Sequence, residues 1–296
     1  MRRRSGSVAA VGLAAALALG GCASGQAGNG EPENPERLVF AVVPDSVDTE
    51  TNYQALADYI SHATGLEVDY HESTDYAALI ELAIAGKVDV ASFSGFSYVT
   101  AVNQGAKIDP VSSIVTIKGE EPGYYSQAIV SKSSTVKELA DLAGKRICFV
   151  DPASTSGYLI PRHTLKNAGV DFDALEPVFA GKHDVSVAKV AAGKECDAGF
   201  AEDSEVVKSD EVRVIDSTHV PGSPLVISSA LPTEVKDKLR DALSQVTREE
   251  IVAAGVEGAD SDGFRSVFAA TEPVDDAFYD IIRDMCREAE VDHCQS

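Results

Sequence analysis

Short apolar runs alternate with amphipathic segments from Arg37 onward, and this alternation restricts the fold more than any other feature. Leu38-Val39-Phe40-Ala41-Val42-Val43 reads as a strand stopped by Pro44. Residues 51–63 place Tyr53, Leu56, Ala57 and Ile60 at helical spacing, with Gly65 just past the end. Leu66 to Tyr70 alternates like a strand, residues 76–85 return to helical spacing behind Ser73 and Thr74, and Gly86 stops them. A strand at 88–93 and a helix at 96–103 follow. This β-α-β-α-β order predicts a parallel sheet covered on both faces.

The design then repeats. The spacing predicts a helix over 135–142 with a Thr135-x-x-Glu138 capping box, a strand at 146–150, and a helix over 156–168 stopped by Gly169. A strand at 176–180, a helix at 184–192 and a strand at 196–201 complete the second unit. Extended runs at 111–117 and 125–131 carry the chain from one unit to the other. Runs at 212–215 and 225–228 carry it back, and helices at 233–246 and 276–288 finish the first unit. Two α/β lobes joined by two crossings enclose a cleft. Ligands of open α/β sheets bind outside the carboxyl ends of the strands, so both lobes aim those ends at it.

The first 36 residues do not belong to this pattern. Met1-Arg2-Arg3-Arg4 is a basic start, Val8 to Leu19 is apolar but short, and Leu19-Gly20-Gly21-Cys22 follows. This reads as an export signal over 1–21. Its last four residues resemble a bacterial lipobox, which implies cleavage before Cys22 and lipidation of its thiol. Residues 22–36, rich in Gly, Asn, Glu and Pro, are expected to be a flexible tether, so that the body is extracytoplasmic and held to the cell membrane by acyl chains. In that compartment disulfides persist. Besides Cys22 there are four cysteines: Cys148, Cys196, Cys286 and Cys294. The four allow three connectivities; Cys286 and Cys294 are close in sequence and could staple the C-terminus, which would leave Cys148 with Cys196. No C-x-x-C occurs, which argues against a zinc ribbon. The formal net charge of −22 argues against a nucleic-acid partner. It also means that an anionic ligand must be held by local dipoles against the overall field.

Three loops that follow strands are expected at the cleft: Ser94-Gly95-Phe96-Ser97, Ser154-Thr155-Ser156-Gly157, and Ala201-Glu202-Asp203-Ser204. Helix capping uses one side chain; it does not account for three hydroxyls followed by Gly157. The first amides of a helix have no intrahelical acceptor and carry partial positive charge, so such a turn is an oxyanion site.

Several blocks in order resemble the substrate-binding proteins of phosphonate/phosphite-type ABC importers. They are Thr74-Asp75-Tyr76-Ala77-Ala78-Leu79-Ile80-Glu81, Gly86-Lys87-Val88-Asp89-Val90-Ala91, Asp151-Pro152-Ala153-Ser154-Thr155-Ser156-Gly157, Gly181-Lys182-His183-Asp184 and Pro221-Gly222-Ser223-Pro224. The resemblance runs from Leu38 to Arg287. It implies a two-lobed, periplasmic-binding-protein-like (type II) α/β fold, each lobe a mostly parallel sheet flanked by helices. Residues 37–123 would form lobe 1, 124–222 lobe 2, and 223–296 the return to lobe 1. It implies phosphoryl oxygens on Ser154, Thr155, Ser156 and Gly157, with donors from Tyr76, Tyr124 and His183 and further ones from Ser94 and Ser97. Members that hold an aminoalkyl phosphonate need carboxylates for the ammonium. An Asp in the turn at 221–224 is one source, but here Ser223 stands there, and Glu202 and Asp203 are what is left. A compact phosphorus oxyanion such as phosphite, methylphosphonate or phosphate is therefore expected, handed by a monomer to an ABC permease without cofactor, metal or chemistry.

Two other classes would use the same cleft. A hydrolase or transferase acting on a phosphoester in the same cleft lacks any motif: no Gly-Lys pair is followed by Ser or Thr, and there is no G-x-S-x-G or H-E-x-x-H. A ligand-sensing module without transport would share the same cleft.

Overall fold

The computed structural model describes residues 35–46 and 49–291. The export signal, Cys22, nearly all of the tether and Cys294 lie outside the described residues.

The strands are β1 (Arg37–Val42), β2 (Glu67–Glu72), β3 (Val90–Ser92), β4 (Ile108–Val115), β5 (Gly123–Ser131), β6 (Arg146–Phe149), β7 (Glu176–Phe179), β8 (Ala198–Glu202), β9 (Val212–Pro221), β10 (Pro224–Ser228) and β11 (Ala270–Pro273). The helices are α1 (Thr49–Thr64), α2 (Tyr76–Ile84), α3 (Gly95–Asn103), α4 (Ile160–Asn167), α5 (His183–Ala192) and α6 (Asp203–Val206). They continue with α7 (Thr233–Leu243), α8 (Arg248–Ala253), α9 (Asp262–Val267) and α10 (Asp280–Glu288). One sheet has the order β11-β4-β10-β3-β1-β2 and the other β7-β6-β8-β5-β9.

Both sheets are mixed, for one reason. The β-α-β-α-β cores β2-β1-β3 and β7-β6-β8 are parallel, as helical crossovers require. The strands that carry the chain between sheets join them antiparallel: β10 beside β3 and β4, β5 beside β8 and β9. The crossings touch each other. Gly222 donates its N–H to the Pro122 carbonyl at 3.1 Å and accepts at its own carbonyl from the Tyr279 hydroxyl at 2.9 Å. A Cβ at Gly222 would stand 2.3 Å from Ser113 Oγ, so only glycine lets the two crossings lie this close.

Apolar residues fill both faces of the first sheet. Phe40, Leu56, Ile60 and Leu239 pack on one side, and Ala41, Leu79, Phe96 and Tyr279 on the other. Val150 and Leu159, which belong to the second sheet's side, join that latter cluster. The junction between the lobes is thus partly dry. The second sheet packs Phe149 face to face with Phe200, ring centroids 5.8 Å apart.

Two local expectations need correction. Residues 135–138 are not helical; only a single 3-10 turn forms at Leu139–Leu142. The Asp141 carboxylate accepts from the Lys137 amide at 2.8 Å, drawing the chain back before a longer helix can start. The helix expected from 156 begins as a π turn, Thr155–Leu159, before α4. Ile160 N–H bonds the Thr155 carbonyl five residues back. Pro161 then has no N–H to offer the Ser156 carbonyl, which accepts instead from Ser126 Oγ at 2.7 Å. The wide turn thereby accommodates a proline inside a helical run. Cys148 and Cys196 are joined in a disulfide. Cys286 is also disulfide-bonded; its expected partner Cys294 is among the undescribed residues.

Candidate binding site

The carboxyl ends of β1, β3, β6 and β8 meet where the lobes face each other, and their loops build the site. The loop after β6 is shaped by Asp151. Its side chain accepts from the Ala153 amide at 2.8 Å and its carbonyl from the Ser154 amide at 2.9 Å. Burial pushes this carboxyl above the usual range, with a further push from Asp75 across the junction. Ser154 then caps the π turn, its Oγ accepting from Gly157 N–H at 3.1 Å. Gly157 packs so tightly on β6 that an added Cβ would lie 2.4 Å from Val150 Cβ.

Ser154, Thr155 and Ser156 are all buried. Thr155 Oγ1 accepts from the Phe96 backbone N–H, the first turn of α3, at 2.8 Å. Its own proton is directed to the Tyr124 phenol. Ser156 Oγ is buried, and the Tyr124 phenol stands beside it without a well-aligned hydrogen bond between them. The phenol of Tyr76 abuts Ser154, and that of Tyr124 abuts Ser156 and Thr155. Burial raises both phenols well above their ordinary range, and Tyr53 likewise. They therefore stay neutral donors at any physiological pH. The unfolded chain ionises its phenols near pH ~10, so the stability these groups support is complete below that value and is lost as pH rises above it. Thermal melts from pH 8 to 11 should show a steep fall only at the alkaline end; a flat profile would contradict the burial.

His183, the first residue of α5, is buried. Its Nδ1 accepts from the Glu202 backbone N–H at 3.0 Å, which assigns the proton of the neutral ring to Nε2. The histidine is thereby held as a donor. Its own backbone N–H donates across the junction to the Asp45 carbonyl at 3.0 Å, and Lys182 Nζ to the Ser46 carbonyl at 3.3 Å.

Ser94 and Ser97 serve mainly each other. They form a reciprocal capping box on α3, with Ser94 N–H on Ser97 Oγ at 3.0 Å, and Ser94 Oγ also reaches the Ala153 carbonyl at 3.4 Å. Asp203 is half-buried, accepts from the Tyr125 amide at 3.0 Å and lines the cleft.

The cleft between the lobes has a volume of about 560 Å³. A narrow recess of about 20 Å³ opens beside it, toward β1 and β3. Tyr76 and Ser94 line the recess, and Tyr124 and Asp203 the cleft. The hydroxyl turn itself sits behind the two phenols. Three residues line both spaces besides Ser223: Asp45, Tyr53 and Ser92. Sequence reasoning missed these. Asp45 follows β1 and obeys the same rule that singled out the other loops. Tyr53, whose hydroxyl is 2.9 Å from Ser92 Oγ, shows only as an apolar position of α1.

Chemically, the junction presents neutral donors and helix-start amides for an anion, ringed by the carboxylates of Asp45, Glu202 and Asp203. Residues 40–271 match the family model described as "ABC transporter, phosphonate, periplasmic substrate-binding protein". The chain is 34% identical to the phosphate-import protein PhnD of Mycolicibacterium smegmatis over 95% of its own length and 96% of that protein's. It is 33% identical over 192 residues to the phosphonates-binding periplasmic protein of Escherichia coli, spanning 60% of this chain and 56% of that one. Among solved structures, PhnD1 of Prochlorococcus marinus in complex with methylphosphonate superposes with a TM-score of 0.72 over 87% of this chain and 99% of its own, at 18% identity. That likeness concerns the fold.

Proposed function

The chain belongs to the family of periplasmic substrate-binding proteins of phosphonate ABC transporters, and we propose that its own ligand is a small phosphorus oxyanion held at the turn of Ser154, Thr155 and Ser156. It is the extracytoplasmic solute-binding component of an importer for phosphonate or phosphate. The observation that carries the assignment of the turn is Ser156. Its buried hydroxyl lies at a helix start with a poorly aligned contact to the Tyr124 phenol; a poorly bonded buried hydroxyl costs stability, and an anion there would repay that cost.

In this reading the lobes, 37–123 with 223–296 and 124–222, part so that Tyr76 and Tyr124 swing off the turn. The ligand enters, and its oxygens take the amides and hydroxyls of the turn, the two phenols and His183 Nε2–H. Closure dries the site and strengthens each of these bonds. The negative charge is met by dipoles and charge-assisted hydrogen bonds rather than by a cation. The protein performs no chemistry on the ligand. It works as a monomer anchored through lipidated Cys22 and delivers to a membrane permease. The preferred ligands are phosphonate, phosphite or phosphate with a compact substituent.

A thermal-shift panel of phosphate, phosphite, methylphosphonate, 2-aminoethylphosphonate and sulfate tests this. A phosphorus oxyanion should raise the melting temperature. Ser156→Ala should weaken its binding by about 1.5–3 kcal/mol, the scale of a hydrogen bond to a charged group. It should leave the melting temperature of the free protein unchanged or raised. Full affinity in that variant would remove the turn from the site.

A further inference from the structure

The recess beside the cleft is lined by five hydroxyl side chains, Tyr53, Tyr76, Ser92, Ser94 and Ser223, and by one carboxylate residue, Asp45. A hydroxyl adapts to its neighbour by donating or accepting; a carboxylate only accepts. Asp45 stands where the lobes join, its carbonyl bonded to the His183 amide, and it lines the recess and the cleft together. Its charge is felt by the phenols of Tyr53, Tyr76 and Tyr124, as is that of Glu202, but of these two only Asp45 also lines the recess.

An oxyanion held by those donors therefore meets a second negative group. Two anionic oxygens facing each other repel unless a proton lies between them. Resting on the proposed anion site, we infer that Asp45 is a specificity-determining residue that accepts a hydrogen bond from a protonated oxygen of the ligand. It thereby selects oxyanions that carry an O–H over those that cannot. The recess, at about 20 Å³, is large enough for one small polar group, and its hydroxyls solvate the remaining lone pairs.

The chemistry separates phosphorus from sulfur. At mildly acidic pH methylphosphonate is a monoanion with one P–O–H. Methanesulfonate has the same shape, the same methyl group and the same single charge, but no proton. A site that hydrogen-bonds a ligand hydroxyl rejects the analogue lacking it far more strongly than a site that merely fits its shape.

Titration calorimetry of both anions with the mature protein and with Asp45→Asn tests the assignment. The parent should bind methylphosphonate at least ~100-fold tighter than methanesulfonate, within the range that such polar recognition delivers. Asp45→Asn, whose amide can donate to a bare sulfonate oxygen and whose backbone carbonyl still serves His183, should narrow the gap to about tenfold, chiefly by gaining methanesulfonate. Glu120→Gln, an exposed carboxylate on the same cleft, should keep the parent's gap. A parent gap under about tenfold, measured with no variant at all, overturns the assignment. So does an undiminished gap in Asp45→Asn with methylphosphonate still bound. Failure of the parent to bind methylphosphonate or any other phosphorus oxyanion would instead overturn the proposed ligand class, and this assignment with it.

Discussion

Gly157→Ala is expected to abolish measurable binding of methylphosphonate and to lower stability by about 1–3 kcal/mol, the usual penalty for forcing an extra carbon into a packed interior. The new Cβ would lie 2.4 Å from Val150 Cβ and Cγ2 and 2.9 Å from Ser154 Oγ. Val150 is buried and cannot retreat, because it packs across the lobe junction among Leu159, Phe93 and Phe96. The strand end and the turn must therefore separate. That breaks the bond from Val150 N–H to the Gly157 carbonyl, 3.1 Å, and displaces the capping Ser154 hydroxyl. An anion cradle tolerates little displacement, so affinity should fall more than ~100-fold even where the variant is fully folded. Denaturant unfolding and calorimetry report the two effects separately. A variant that unfolds and binds like its parent would show that the turn is not pressed against β6.

Replacing both Cys148 and Cys196 by alanine should destabilise the protein by about 2–4 kcal/mol. The disulfide closes a loop of 48 residues, for which the chain-entropy relation gives about 4 kcal/mol at 25 °C, and real variants commonly fall short of that figure. Both cysteines are buried, so part of the loss will come from the space left behind. The bond ties β6, just upstream of the hydroxyl turn, to Cys196, two residues before β8. Ligand affinity measured well below the melting temperature should stay near the parent value, because neither sulfur reaches the cleft. Equal stability with and without the bond, in urea unfolding, would refute the estimate.

The alternation of apolar runs with 3.6-residue periodicity made the two lobes legible, because buried parallel strands and amphipathic helices leave different patterns in the chain. Residues 247–275 left no such pattern. α8 and α9 are six residues each and β11 is four, too short for a period to repeat. The π turn escaped notice although its cause, Pro161 six residues into a helical run, stands in the sequence. The hydroxyl turn was readable because a helix start with three hydroxyls exceeds what capping needs. Ser94-x-x-Ser97 is a capping pair in which serine replaces the usual glutamate, so the pattern is easily passed over in the sequence. Asp45 went unread because a strand stopped by Pro44 explains that corner without asking what the next side chain faces.

The hydrogen bond from the Phe96 amide to Thr155 Oγ1 has a kinetic meaning. The lone pair of this oxygen is tied to the opposite lobe and its proton to the Tyr124 phenol, so under the proposed binding mode a guest takes that proton only once Tyr124 has swung away. Under that binding mode, escape of a captured solute and separation of the lobes would be one event rather than two, so residence time would be set by the hinge and unloading would wait on whatever machinery pulls the halves apart.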